Sequence, residues 1–428
     1  MAVKTITILQ VGDVHFDQLS IGPDVDVKDQ QISPDLVRQM APSRLRSVMQ
    51  AIGKLCDPVS PDAIVFCGDL SSRGQHQVYV DCVTYLNESL GLSEGRFWTP
   101  DEIHAVPGNH DIDRNTVDPT GKDYFAKFVP LEATWREIQL DILACADVRP
   151  TLLRGQGGGE VTAYSMNSCI GCGEKRARQG DFTAMVRADL EARKKEGDEA
   201  AADVLWEGLD TPLFFEEHLT TVNDAIDRLA PTQLPIVIAH HNLLPQATPR
   251  AAVYTELVNG GAARVRLAAH RRWIIYLHGH IHDDPIEVID QRFPNRGQVL
   301  SISAPLLEEG FNVVSVEFGN AGRPMGVSVV HYRYKNGGDV RARPEIRIGL
   351  ASRADEPSPL LNGILAALTP GTTMRFRDLD GAVRAIHKTA VSQDELCDAL
   401  REAEWASYLT IEQRDDDAGQ WTIRREAV

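Results

Sequence analysis

The stretch Ile103-His104-Ala105-Val106-Pro107-Gly108-Asn109-His110-Asp111 decides how this chain is read. An apolar, strand-like run through Val106 is broken by Pro107-Gly108 into a tight turn. Directly after the turn stand an amide, an imidazole and a carboxylate, at the C-terminal end of a strand, where open α/β sheets gather their ligands. One such cluster means little. Four more occur in the chain, each just after a strand-like run.

Upstream, the β-branched run at 5–11 (TITILQV) ends in Gly12-Asp13-Val14-His15. An Asp-x-His spacing lets both side chains leave an extended segment on one face. The run at 63–67 (AIVFC) ends in Gly68-Asp69, where glycine permits close backbone approach. Helices are expected at 36–55 and 77–90, so strand and helix alternate as in an α/β sheet. Downstream, 235–239 (PIVIA) ends in His240-His241, neighbours in a strand that are expected to point to opposite sides, so that one reaches the site. The run at 273–277 (WIIYL) ends in His278-Gly279-His280-Ile281-His282, where His280 and His282 are expected to share a face. Core packing explains that spacing poorly, because each buried imidazole would need hydrogen-bond partners.

Between these clusters the reading is plainer. Phe125, Phe128, Leu131, Trp135, Ile138 and Ile142 recur at helical spacings, so 118–149 is expected to be helical. A strand at 161–168 leads into Cys169-Ile170-Gly171-Cys172, a lone C-x-x-C with no second pair at suitable spacing, so reduced, packed thiols are expected rather than zinc. A charged, Ala-rich insertion at about 184–212 and a helix with Phe215, Leu219, Val222, Ile226 and Leu229 on one face follow. Arg250, Arg264, Arg266, Arg271 and Arg272 are read either as an anionic substrate path or as a solvated face. Four short runs at 286–289, 298–303, 312–318 and 326–334 are expected to form an antiparallel second sheet.

The C-terminal end reads as a separate unit. A linker at 347–359 precedes three short helices and a hairpin at 360–428, and Ser392 with Glu395 forms a capping box on the third helix. That order resembles a winged helix. From residue 351 onward nine basic residues face fourteen acidic ones, several of them on the third helix (Asp394, Glu395, Asp398, Glu402, Glu404). Such a module is a poor DNA reader, so protein contact or self-association is the expected role.

Composition sets the outer bounds. A net charge of −17 argues against a broad nucleic-acid-coating surface. Seven cysteines without regular spacing suggest reduced thiols. Met1-Ala2-Val3-Lys4 runs straight into a strand pattern, and no stretch reaches the roughly 18 apolar residues of a membrane helix. A cytoplasmic protein without membrane contact is therefore expected.

Collected, the strand ends offer Asp13, His15, Asp69, Asn109, His110, Asp111, His240, His280 and His282. Mixed oxygen and imidazole donors suit Mn, Fe or Zn rather than Mg alone. Two metals need a bridging carboxylate, and Asp69 from the middle strand is the natural candidate.

In this form the chain resembles the calcineurin-like metallophosphoesterase superfamily. The five motifs stand in order as Asp13-Val14-His15, Gly68-Asp69, Gly108-Asn109-His110-Asp111, His240 and Gly279-His280-Ile281-His282. Gly68-Asp69-Leu70-Ser71-Ser72-Arg73-Gly74 and the His240-His241 pair look closest to the phosphodiesterase and Mre11-like nuclease branch. The resemblance implies a four-layered α/β/β/α sandwich of two mixed sheets over 1–346. It implies one metal on Asp13, His15, Asp69 and His282, and a second on Asp69, Asn109, His240 and His280, with Mn preferred and Fe or Zn as alternatives. A metal-bridging hydroxide would then attack a nucleotide or nucleic-acid phosphodiester in line. His110 would contact the phosphate or protonate the leaving oxygen, Asp111 would orient His110, and His241 would stand behind the ligands or face substrate. The alternatives are a phosphomonoesterase and an inactive binding scaffold.

Overall fold

The computed structural model describes residues 4–16, 43–57, 60–72, 74–113, 123–155, 159–173, 192–193, 195–197, 211–245, 256–283, 285–290, 297–319, 322–335, 338–350, 358–387, 390–414 and 417–425. Its first sheet is built around β1 (Lys4–Val11), which pairs in parallel with β2 (Ala63–Phe66), itself parallel to β3 (Ile103–Ala105). Helices α1 (Arg44–Cys56) and α2 (His76–Leu90) make the crossovers between these strands. The expected start of α1, residues 36–42, lies outside the described residues.

Strand alternation decides what each face touches. Leu9, Val11, Ile64 and Phe66 meet Val48, Met49 and Ile52 of α1 and Tyr79, Val83 and Leu86 of α2. Ile6, Ile8 and Val65 point the other way and meet Ile236, Ile238, Leu277 and Leu300 of the second sheet. On that sheet's outer face Val237, Tyr276 and Val299 pack against Leu219, Val222 and Ile226 of α4 (Glu216–Arg228) and Ala263 and Leu267 of α5 (Gly260–Leu267). The result is the expected α/β/β/α sandwich.

The second sheet has the order β4-β5-β6-β7-β9-β8, with β5 (Glu160–Ser165), β6 (Gln233–Ile238), β7 (Ile274–His278) and β9 (Gln298–Ser303) parallel. Strands β4 (Arg149–Arg154) and β8 (Ile286–Asp290) close its edges antiparallel. The four late runs therefore do not form a sheet of their own. Two join the second sheet, while β10 (Gly310–Phe318) and β11 (Pro324–Lys335) extend the first beyond β1.

The helix expected over 118–149 is shorter. Only α3 (Val129–Glu137) follows a single 3₁₀ turn at Ala126–Phe128, and Gln139 at φ 63° ends it. Ile142 keeps its burial because the chain turns back along β3, where the Ala144 amide donates to the Ala105 carbonyl at 3.1 Å. The stretch read as a linker also begins in the sheet, since β13 (Ile346–Gly349) pairs with β11 after β12 (Asp339–Ala342) has done so. The insertion expected at 184–212 lies almost wholly outside the described residues.

The C-terminal residues have their own core, with Leu361, Ile364, Leu379, Val383, Leu400 and Trp421 among its members. It comprises α6 (Pro359–Ala367), α7 (Phe376–His387) and α8 (Gln393–Trp405), with an antiparallel sheet of β14 (Thr373–Arg375), β16 (Thr422–Arg425) and β15 (Leu409–Glu412). The Ser392–Glu395 capping box is formed. The acidic third helix is not all outward surface: buried Glu404 pairs with Arg347 at 3.3 Å and Arg414 at 2.6 Å. Arg347 lies over the Trp405 ring at 4.2 Å, so this helix end is fastened to the large sheet.

Candidate metal centre

The five sequence clusters converge at the C-terminal ends of β1, β2, β3, β6 and β7. Two groups of donors form there. Asp13, His15, Asp69 and His282 are one, and His240, His241 and His280 are the other. Asn109 joins the second through Oδ1, 3.0 Å from His240 Nε2.

The turns are unusual in their backbone. Asp13, His15, Asp69, His280 and His282 all have φ between 45° and 72° and account for five of the eight non-glycine residues with positive φ among those described. L side chains avoid that region at a cost of order 1–3 kcal/mol each, and such strain concentrates at functional sites. Close approach adds a second constraint. A Cβ on Gly108 would come within 2.0 Å of Asp69 Oδ1, and one on Gly279 within 2.5 Å of Asp13 Oδ2.

Asp69 lies between the groups. Its Oδ1 accepts the His110 backbone N–H at 2.9 Å. Its Oδ2 is buried without a hydrogen-bond partner, 3.3 Å from His240 Nε2 and 3.7 Å from His15 Nε2. A buried carboxylate oxygen left in that condition is costly unless a cation completes it. His15 Nε2 and His282 Nε2 also face each other at 2.8 Å, two imidazole nitrogens aimed at one point. The donor set therefore fits a pair of divalent cations, with Asp69 able to reach both.

Other contacts orient the donors. His240 Nδ1–H donates to the Cys67 carbonyl at 2.7 Å, which leaves Nε2 for a cation. Both oxygens of Asp13 accept the His280 amide, at 2.8 and 3.0 Å. Burial pushes the Asp13 carboxyl well up, and the neighbouring Asp69 charge adds to this. Burial also opposes charge on Asp69, but His240 and His110 outweigh it and hold that carboxyl low. His240 is in turn raised to about 9, because Asp69 and Asp13 overcome its desolvation. His15 is lowered to about 4, chiefly by burial.

His110 and Asp111 divide differently from the expectation. Asp111 does not touch the His110 ring. Its Oδ1 accepts from Ser71 N and its Oδ2 from Gly108 N, both at 2.8 Å, so it fixes the turn rather than the imidazole. The ring is held by a group the sequence does not reveal, the Ser72 carbonyl, which accepts from Nδ1–H at 2.9 Å. Burial raises Asp111 to about 7, with the Asp69 charge adding and its two amide donors opposing.

His240 and His241 lie past the end of β6, and their rings approach to 4.8 Å instead of pointing apart. His241 is buried against His280, with ring centroids 4.4 Å apart. Three of the arginines read as an anionic path or a solvated face are engaged within the chain. Arg264 donates to the Leu243 carbonyl, Arg266 pairs with Glu216, and Arg272 donates to the Leu229 and Ala230 carbonyls. Arg250 lies outside the described residues.

A strand-end centre of oxygen and imidazole donors between two stacked sheets is a site fit for divalent cations. A family model for calcineurin-like phosphoesterases matches residues 6–284, and the chain belongs to that family, which works through a dinuclear divalent centre. No curated protein matches the chain. Similar solved structures include a dimetal phosphatase from Danio rerio, at 12% identity over 82% of this chain and 100% of that one, TM-score 0.44. A 5'-nucleotidase precursor from Thermus thermophilus is similar at 13% identity over 76% of this chain and 54% of that one, TM-score 0.39. Phosphopantetheinyl hydrolase from Mycobacterium tuberculosis gives 13% identity over 72% and 92%, TM-score 0.34. Among the described residues no helix is long and apolar enough to cross a membrane.

Proposed function

We propose that the chain hydrolyses the phosphodiester bond of a nucleotide at a centre that holds one cation on Asp13, His15, Asp69 and His282 and another on Asp69, Asn109, His240 and His280. Asp69 Oδ2, buried without a hydrogen bond between His15 Nε2 at 3.7 Å and His240 Nε2 at 3.3 Å, carries this reading. Bound there, two divalent cations supply charge stabilisation for the phosphoryl oxygens and an acidified water as nucleophile.

The remaining work falls to the chain itself. With Nδ1–H tied to Ser72, His110 can offer only Nε2 to substrate, and in its imidazolium form it would carry there the proton for the leaving oxygen. Asp111 keeps that imidazole in place by fixing the turn on both sides of it. The net charge of −17 and the internal use of Arg264, Arg266 and Arg272 favour a small nucleotide over a nucleic-acid strand. Mn is the preferred metal for this donor set, with Fe or Zn next.

The test is a panel with Mn, Fe or Zn added: bis-p-nitrophenyl phosphate, p-nitrophenyl phosphate, cyclic nucleotides, dinucleotides, and single- and double-stranded DNA and RNA. Faster turnover of diesters, with small nucleotides ahead of polymers, is expected. Preference for the monoester would overturn the diester reading. No turnover with any metal would make the chain a binding scaffold.

A further inference from the structure

Behind His280, Cys169 and Cys172 meet His241 on a set of donors that the proposed reaction does not use. The C-x-x-C forms a tight turn after β5, with the Cys172 amide donating to the Cys169 carbonyl at 3.0 Å. The turn is fastened by polar contacts. Buried Lys127 donates its ammonium to the carbonyls of Ile170 at 2.6 Å and Cys172 at 2.8 Å, and Thr211 Oγ1 donates to Gly171 at 2.7 Å.

His241 supplies what the sequence lacked, a further donor after the lone pair of cysteines. Its Nδ1 lies 3.8 Å from Cys169 Sγ, and one donor atom from each of the three residues falls within 4.8 Å of the others. Ser168 Oγ donates to the same nitrogen at 2.9 Å and accepts the His241 and His240 backbone N–H groups at 3.1 and 3.3 Å, while the Cys169 thiol donates to the Pro107 carbonyl at 3.2 Å. All three residues are buried, and neither cysteine is in a disulfide. Packed thiols alone do not require an imidazole nitrogen at the same point.

We propose that Cys169, Cys172 and His241 hold one zinc-class cation, which would displace the Cys169 thiol proton from the Pro107 carbonyl and the Ser168 hydroxyl proton from His241 Nδ1. Two sulfurs and an imidazole nitrogen suit a borderline-soft divalent ion. As each sulfur–metal bond forms, the thiol releases its proton to solvent, so burial that favours the neutral thiol is reversed by the ion. The cation would pin the 168–172 turn against His241, and through it the back of His280.

The test uses the full chain, stripped of metal and titrated with cobalt(II). A thiolate-to-cobalt charge-transfer band in the near ultraviolet is expected, because oxygen and imidazole donors cannot produce one. It should saturate at one equivalent, persist in Asp69→Asn and vanish in Cys172→Ser. Zinc bound after reloading should fall by one equivalent per chain in Cys172→Ser. If that variant does not fold, the band in the unaltered chain still decides. Absence of the band there, or an intact mass two hydrogens light, would overturn the proposal.

Discussion

The two halves of the dinuclear centre share one carboxylate and differ in most other respects. His240, in the half with Asn109 and His280, has a fully buried side chain, whereas His15 and His282, in the half with Asp13, keep 19% and 40% of theirs exposed. The backbone divides in the same way. Asp13, His15 and His282 on the open side all have positive φ, while on the closed side only His280 does. The first half thus reaches solvent through His15 and His282, and the second only through the half-buried His280. The open cation position should exchange readily and meet substrate, and the closed one should anchor the centre.

Replacing one histidine in each half tests that contrast most severely. His240→Ala should lose bound metal and lower kcat by about 10³-fold or more, even with excess Mn. His282→Ala should lose comparable activity at low Mn and regain most of it when Mn is raised, because water can occupy an exposed position. Equal rescue of the two variants, measured as kcat against free Mn, would break the distinction.

His110 borders the open half without belonging to either donor set. His110→Ala should lower kcat by about 10²- to 10⁴-fold, the usual range for a lost acid or base, with metal content unchanged. Elemental analysis showing lost metal would move His110 into the ligand set. Asp111 supports the same turn through two amides, so Asp111→Ala should cost about 1–3 kcal/mol of stability for each buried N–H left unpaired. Denaturant unfolding of the metal-free chain measures it, and an unchanged midpoint would remove Asp111 from that role.

A smaller effect concerns β3, which delivers Asn109 to the closed half. Burial lowers His104 to about 4 from an ordinary 6.5, with Arg149 adding to the shift. Its stabilising contribution is therefore full above pH 6.5 and is lost as pH falls toward 4, by about 3 kcal/mol in all. In His104→Asn, stability of the metal-free chain should fall less steeply over that window. An unchanged slope would show that His104 titrates as it does in water.

The contrast between local and distant information also explains what the sequence revealed. Each donor sits in a short motif that begins where a strand ends, so residues such as Asp13-Val14-His15 and Gly108-Asn109-His110-Asp111 carry their own context. Strand pairing does not travel that way. The runs at 298–303 and 312–318 look alike in sequence, yet one pairs with β7 and the other with β1, because partners far along the chain decide the sheet. Helical spacing misled at Ile142 because a buried loop beside β3 needs apolar residues as much as a helix does. His241 lies 72 residues from Cys169, and no local pattern announces their approach. Backbone partners such as the Ser72 carbonyl leave no trace in side-chain chemistry at all.

Asp69 joins the two halves, and a single measurement addresses it directly: equilibrium binding of Mn(II) to the metal-stripped chain and to Asp69→Asn, counted by elemental analysis. Manganese is chosen because it favours oxygen and imidazole over thiolate donors. The account predicts two equivalents on the unaltered chain, one tighter than the other, and strong binding at neither position in Asp69→Asn. Two equivalents retained by Asp69→Asn would contradict a shared carboxylate and with it the dinuclear centre described above.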